Sequence, residues 1–298
     1  MANPSGLAGR TVANARIGVI GGSGLYEMPG LKGLEEIKLT TPFGDPSDML
    51  LVGELEGVSI AFLPRHGKGH RLNPTEVPSK ANIYALKSLG VEQLISISAV
   101  GSLQEPIRPL DMVIPDQLID RTRGRPSTFF EDGIVAHVSF AEPFCAVMRT
   151  LLVEGVKETG TAVHDGGTYV VMEGPSFSTI AESNLYRSWG ASIIGMTALP
   201  EAKLAREAEM CYATLACATD YDVWHDGHDS VNVDMVVANL MHNATKAQDV
   251  LRRIVNRLPE TRECGCATAL TNAVITSPDV ISPSAKYRLK LLLGDRVH

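Results

Sequence analysis

The chain has 298 residues, 44% of them hydrophobic and 20% charged, enough apolar material for a substantial core and too much for wholesale disorder. Its 27 basic and 34 acidic residues leave a net charge of −7, which argues against a general nucleic-acid binder, since that needs a basic face, but allows an anion held by a few local donors. No apolar run reaches the roughly 18–20 residues of a membrane helix, and Met1 to Arg16 lacks the apolar core of a secretory signal, so the expectation is a soluble cytoplasmic protein.

The first expected strand, Ile17–Ile20, runs into Gly18-Val19-Ile20-Gly21-Gly22-Ser23-Gly24-Leu25. Glycines let a backbone close on a ligand, successive N–H groups form an anion nest, and Ser23 adds a hydroxyl. A dinucleotide fingerprint would need a third glycine, which is missing; alone, the loop is as well read as a plain strand-to-turn connection. Strands Met49–Leu55 and Val58–Leu63 flank Gly57 and imply a hairpin, hence a mixed sheet. The second runs into Pro64-Arg65-His66-Gly67. There Arg65 offers a fork suited to phosphate, with His66 as a second donor beside it; a solvated arginine and a capping histidine are the bland alternative.

A helix is expected over Pro78 to Leu89, ended by Gly90. Strand Leu94–Ser98 leads to Ser98-Ala99-Val100-Gly101-Ser102, small hydroxyl residues where open α/β sheets bind ligands. Met112–Ile114 and Tyr169–Met172 are further strands. After the latter, Glu173 can accept from sugar hydroxyls and Phe177 can stack on a flat heterocycle or sit in the core. Strand Ile193–Met196 brings Thr197 to the start of a helix expected over Pro200–Tyr212, as a cap or beside an anion.

Next, Thr219-Asp220-Tyr221-Asp222 follows the apolar run Ala213–Ala218. In extended chain both carboxylates point to one side. In apolar surroundings they repel, so one tends to hold a proton, and the pair can donate one hydrogen bond and accept another, as an adenine edge requires. His225-Asp226-Gly227-His228-Asp229 fits no common zinc spacing and reads as a solvated loop. A helix over Val233–Leu258 carries one apolar stripe. Beyond Pro259 come a polar stretch with Cys264-Gly265-Cys266, a short helix over Ala267–Thr276 and a basic tail. Cys145, Cys211, Cys217, Cys264 and Cys266 read as reduced thiols; Cys264 and Cys266 are either a redox pair or inert. Alternating strands and helices give an α/β fold: a single domain over 1–298 with a central mixed β-sheet surrounded by helices, its core about 17–258 and a C-terminal extension about 259–298.

In combination, Ile20-Gly-Gly-Ser-Gly-Leu25, Thr41-Pro-Phe-Gly-Asp-Pro-Ser47, Arg65-His-Gly67, Ala141-Glu-Pro-Phe144, Glu173-Gly-Pro175, Gly195-Met-Thr197 with Pro200-Glu-Ala-Lys-Leu-Ala-Arg-Glu207, and Thr219-Asp-Tyr-Asp222 resemble the nucleoside phosphorylase family, in its branch acting on S-methyl-5′-thioadenosine. The resemblance covers roughly Ile17 to Leu258. It implies the purine nucleoside phosphorylase fold, a homotrimer or dimer of trimers with sites near subunit contacts, no metal or organic cofactor, and phosphate as co-substrate. It implies phosphate binding by Ser23, Arg65, His66, Ser98, Ala99 and Thr197, and Met196 under the ribose. Phe177 and Ser178 would border the base, and Asp220 and Asp222 would read adenine with Tyr221 between them. Val233, Val236 and Val237 would line a methylthio pocket, and His137 would reach a neighbouring subunit's site. Ser176 and Ala198 depart from positions where relatives often carry arginine and asparagine. The implied reaction is phosphorolysis to adenine and 5-methylthioribose 1-phosphate. A 6-oxopurine phosphorylase is disfavoured by the two aspartates. A hydrolase would leave the Arg65-His66 anion site without a task, and a dinucleotide-binding module lacks its glycine.

Overall fold

β1 (Ile17–Gly21) is buried at every position, as a strand must be when a sheet is covered on both faces. The computed structural model describes residues 14–22, 25, 27–225, 233–294 and 296. Within them follow β2 (Lys32–Ile37), β3 (Leu50–Leu55), β4 (Val58–Pro64), α1 (Ser79–Ser88), β5 (Gln93–Ser102), β6 (Met112–Ile114), β7 (Gln117–Arg121), α2 (Ala146–Glu158) and β8 (Val163–Asp165). Then come β9 (Thr168–Met172), α3 (Ile180–Ser188), β10 (Ile193–Gly195), α4 (Ala198–Glu207), β11 (Cys211–Asp220), α5 (Val233–Ile254) and α6 (Pro283–Leu293).

The strands form one mixed sheet in the order β2-β3-β4-β1-β5-β10-β9-β7, with β11 on β5 and carrying β6 and then β8. β3 and β4 form the expected hairpin; Glu56 and Gly57 sit at φ 49° and 85°, the left-handed pair that a two-residue turn of matching twist requires. β4, β1, β5 and β11 run parallel, so their C-terminal ends share one edge. β10 is antiparallel to β5, with Ile193 opposite Ser102 and Ile194 opposite Gly101. The chain leaving β10 therefore runs back toward Ser98.

Alternation along the strands sends side chains into two cores. Leu94, Tyr212 and Ala216 meet α1, α4 and α6 on one face. Ile95, Ala213 and Leu215 meet α2 and α5 on the other. Among the described residues no helix is long and apolar enough to cross a membrane.

Several expected boundaries move. The helix expected over Pro200–Tyr212 is α4, which ends at Glu207; Glu209 turns the chain at φ 53° and Tyr212 belongs to β11. The strand expected to reach Met196 stops at Gly195. The helix expected over Val233–Leu258 ends as α5 at Ile254, with a 3-10 turn over Val255–Arg257. The short helix expected over Ala267–Thr276 is only a 3-10 turn at Gly265–Thr268. The tail's real helix is α6: Ser282 caps it by accepting from Ala285 N–H, Pro283 opens it, and Ala285, Leu289, Leu292 and Leu293 are buried.

Candidate active site at the C-terminal edge of the sheet

Each parallel strand ends in a side chain that the sequence singles out. Past β4, Arg65 N–H donates to Gly21 O at the end of β1 (2.9 Å). The Arg65 side chain is 3% exposed and faces Glu201, itself 1% exposed. Nε donates to Glu201 Oε1 (2.5 Å), Nη2 to Glu201 Oε2 (3.1 Å) and Ser96 Oγ (2.7 Å), and Nη1 to Ile97 O (3.0 Å). Tyr212 O–H also donates to Glu201 Oε2 (3.1 Å). The fork expected to clamp an anion is thus turned largely onto an internal carboxylate. One Nη1 proton remains for a ligand.

His66 differs from expectation in the same way. Its Nδ1 donates to Leu72 O (2.9 Å), and burial with the nearby Arg65 charge lowers its pKa to about 4. The ring is therefore neutral at pH 7, and Nε2 presents a lone pair. His66 offers an acceptor for a P–O–H group, not the donor read from the sequence.

Three hydroxyls do present donors. Ser98 Oγ, Thr197 Oγ1 and Tyr169 Oη are buried without a hydrogen-bond partner. Thr197 and Ser98 both act on the Tyr169 hydroxyl, and Arg65 acts on it through its charge, so the four groups converge. Thr197 stands before α4 yet makes no capping bond. Since buried polar groups are nearly always paired, three orphan hydroxyls beside a guanidinium suit the oxygens of an anion. Ala99 is half-buried beside Ser98. Ser23 lies outside the described residues.

Arg125, which no sequence signal marks, braces this corner. Its Nη1 donates to Met196 O (2.6 Å) and Leu199 O (2.8 Å), Nη2 to Met172 O (3.3 Å) and Glu173 O, and Nε to Glu173 Oε1 (3.1 Å). Glu173 also accepts from Thr75 O–H and Arg123 N–H. Its oxygens are thus engaged within the protein instead of being presented to a sugar. Met196 packs over Gly174, at φ 71°, where any Cβ would strike the Met196 sulfur.

The two aspartates meet, but not through strand alternation. β11 carries a bulge: Ala218 pairs Val100 while Asp220 pairs Gly101, leaving Thr219 as the extra residue. Asn239 and Asn243 of α5 hold it by donating to Thr219 O (2.6 Å) and Ala218 O (3.1 Å). Asp222 then adopts φ 53° and its N–H donates to Asp220 Oδ1 (2.8 Å), an Asx turn. Asp220 is buried and also accepts from Thr219 O–H (2.7 Å). Burial raises both carboxyl pKa values, and the Asp222 charge raises that of Asp220 further. Asp222 Oδ2 is buried and unpaired, with the Ser183 and Ser178 hydroxyls beside this carboxyl. Gly101 lies under the pair: a Cβ there would stand 2.9 Å from Asp220 Oδ1.

Phe177 is 45% exposed, not in the core. Tyr221 is buried, with its hydroxyl on Glu105 O (3.2 Å) and its ring stacked on His225. His137 is exposed, its N–H on Ala273 O (2.8 Å) of the C-terminal segment. Val233, Val236 and Val237 belong to α5, but their side chains lie outside the described residues, as do Asp226 to Asp229.

Residues 16–256 match the sequence model of the phosphorylase superfamily. The S-methyl-5′-thioadenosine phosphorylase of Koribacter versatilis is 56% identical over 280 residues, covering 94% of this chain and 96% of the relative. That of Synechocystis sp. is 58% identical over 288 residues, covering 95% and 88%. Among solved structures, a methylthioadenosine phosphorylase sourced from an antarctic soil metagenomic library superposes with a TM-score of 0.89 at 51% identity, covering 94% of this chain and 99% of that one. Methylthioadenosine phosphorylase from Schistosoma mansoni in complex with adenine gives 0.81 at 35% identity, covering 87% and 97%.

Proposed function

The chain belongs to the S-methyl-5′-thioadenosine phosphorylases of the phosphorylase superfamily, and on that premise we propose that it converts S-methyl-5′-thioadenosine and phosphate into adenine and 5-methylthioribose 1-phosphate. The observation that carries this reading is the buried carboxyl pair, with Asp222 Oδ2 unpaired and both pKa values raised. An adenine edge presents an acceptor at N7 and a donor at N6. Asp220 in its protonated form donates to N7, and Asp222 accepts from the N6 amino group.

The glycosidic bond breaks toward the purine. Its electrons pass into the ring, and the Asp220 proton meets the charge growing at N7. A phosphate oxygen attacks C1′ from the opposite face. Ser98, Thr197, Ser23 and the remaining Arg65 N–H hold its oxygens beside the middle of β5 near Ala99, while His66 Nε2 accepts from a P–O–H. Fixing the anion against the sugar supplies much of the rate. Met196 lies under the ribose and Phe177 and Ser178 border the base. Tyr221 holds the turn between the acids, Val233, Val236 and Val237 wall the methylthio group, and His137 closes a neighbouring subunit's site in a homotrimer. No metal or cofactor enters the reaction, and the enzyme works in the cytoplasm.

The test is adenine release from methylthioadenosine with and without phosphate, beside methylthioinosine and adenosine. Phosphate-dependent release with methylthioadenosine far ahead supports the reading. Release without phosphate makes the protein a hydrolase, and preference for methylthioinosine overturns the assignment of the two acids.

A further inference from the structure

A second cluster lies at the other end of β11. Cys211 opens that strand and Cys145 is the N-cap residue of α2. Cys264 and Cys266 flank the start of the 3-10 turn in the C-terminal segment. The four Sγ atoms all lie within 4.8 Å of one another, and Cys211 and Cys264 approach to 3.3 Å. Cys145, Cys211 and Cys266 are buried and Cys264 is half-buried. Four sulfurs at about 2.3 Å from a central zinc ion would be about 3.8 Å apart. The thiols therefore bracket a tetrahedron and need shifts of less than about 1 Å to complete it.

We propose that Cys145, Cys211, Cys264 and Cys266 form a structural tetrathiolate site for a zinc-class divalent ion, which fastens the C-terminal segment to the starts of β11 and α2. Four thiols lose their protons to solvent, four metal–sulfur bonds form, and no oxidant is consumed. The complex carries excess negative charge. The N-terminus of α2 beside Cys145 opposes that charge; Arg262, paired with Glu92 at 3.3 Å, lines the adjoining cavity of about 310 Å³. That cavity, bounded also by Pro259, Thr261 and Glu263, gives the ion a way in. Cys211 and Asp220 stand at opposite ends of a ten-residue strand, roughly 30 Å apart at about 3.3 Å per residue, so the ion takes no part in chemistry at the carboxyl pair.

The test is titration of the reduced, metal-stripped full chain with Co²⁺ and with Zn²⁺. We expect the sulfur-to-cobalt charge-transfer and strong ligand-field bands of a tetrahedral thiolate site, saturating at about one ion per chain. Zinc should displace the cobalt and raise the unfolding temperature. Cys264→Ser, the change at the half-buried position, should weaken binding at least about tenfold while leaving adenine release unchanged. Absence of the bands while the four thiols remain titratable overturns the proposal. So does a disulfide among them that persists in protein kept under reductant, which would make the cluster a structural crosslink.

Discussion

Glu201→Ala removes the carboxylate that answers a guanidinium which is itself 3% exposed. Arg65 cannot shed its proton, so the substitution leaves a buried cation facing backbone carbonyls and the Ser96 hydroxyl. The lost contacts are two charged hydrogen bonds, at 2.5 and 3.1 Å, and the acceptor of the Tyr212 and Ser96 hydroxyls. Breaking a buried pair from one side costs about 3–5 kcal/mol. At about 2–4 °C per kcal/mol for a chain of this size, the unfolding temperature should fall by roughly 10 °C. Glu201→Gln keeps the shape and one acceptor but loses the charge, and should fall between. If the remaining Arg65 N–H meets phosphate, saturating phosphate should protect the variant more than the parent, because it returns an anion to Arg65. At 100 times its dissociation constant a ligand adds about 2.7 kcal/mol. Calorimetry with and without phosphate reads both effects, and the KM for phosphate should fall, since greater protection at one phosphate concentration means tighter binding. A loss under about 2 °C would refute the reasoning, since Arg65 would then be solvated or answered by another group.

Asp220→Asn with Asp222→Asn should erase most of a preference for methylthioadenosine over methylthioinosine that we expect to be on the order of 10⁴-fold; unchanged selectivity in competition assays would sink the assignment of the acids. A carboxyl whose native pKa is raised keeps its proton to higher pH. If protonated Asp220 is the active form, kcat/KM for methylthioadenosine should fall as pH rises through that raised value, and Asp220→Asn should abolish this limb of the profile. His66 titrates the other way for stability. With a native pKa of about 4 against 6.5, the unfolded chain binds the extra proton between those values. Stability should therefore rise by about 3 kcal/mol from pH 4 to 6.5 and level off above, a slope that His66→Gln should remove in urea titrations at each pH. Gly101→Ala puts a Cβ 2.9 Å from Asp220 Oδ1 and 3.3 Å from Asp222 Cβ at a backbone conformation alanine tolerates. Nucleoside KM should rise at least about tenfold while the unfolding temperature moves by only a few degrees; an unchanged KM would place the base elsewhere.

The buried strands were legible because their apolar runs have no other place to go: β1, β4 and β9 fall close to where the apolar runs stand, while β5 continues four residues past its expected end at Ser98, to Ser102. β2, with five of six residues exposed, carries no such signal and owes its pairing to β3. The strand-end residues Arg65 and Asp220 were legible by the same logic, since parallel neighbours bring their ends together; Ser98, expected at a strand end, stands inside β5, which runs on to Ser102. Their partners were not. Glu201 lies 136 residues from Arg65, and Arg125 acts mainly on backbone carbonyls, which any residue possesses. The four cysteines escaped a spacing rule because only Cys264 and Cys266 are near in sequence, and folding supplies the other two. α6 was the avoidable miss, its Ser-Pro start being written in the chain.

The bulge at Thr219 makes base recognition depend on chain length as well as on composition. One residue of surplus in β11, held by two asparagines from α5, sets the direction in which the last carboxylate of the strand points. A deletion there would restore an unbroken ladder and rotate Asp220 to the opposite face, although both acids, every glycine and every hydroxyl of the site but that of Thr219 would still be present. Among related chains, the insertion state of this strand end should therefore be a sharper discriminator of adenine reading than the presence of the aspartates.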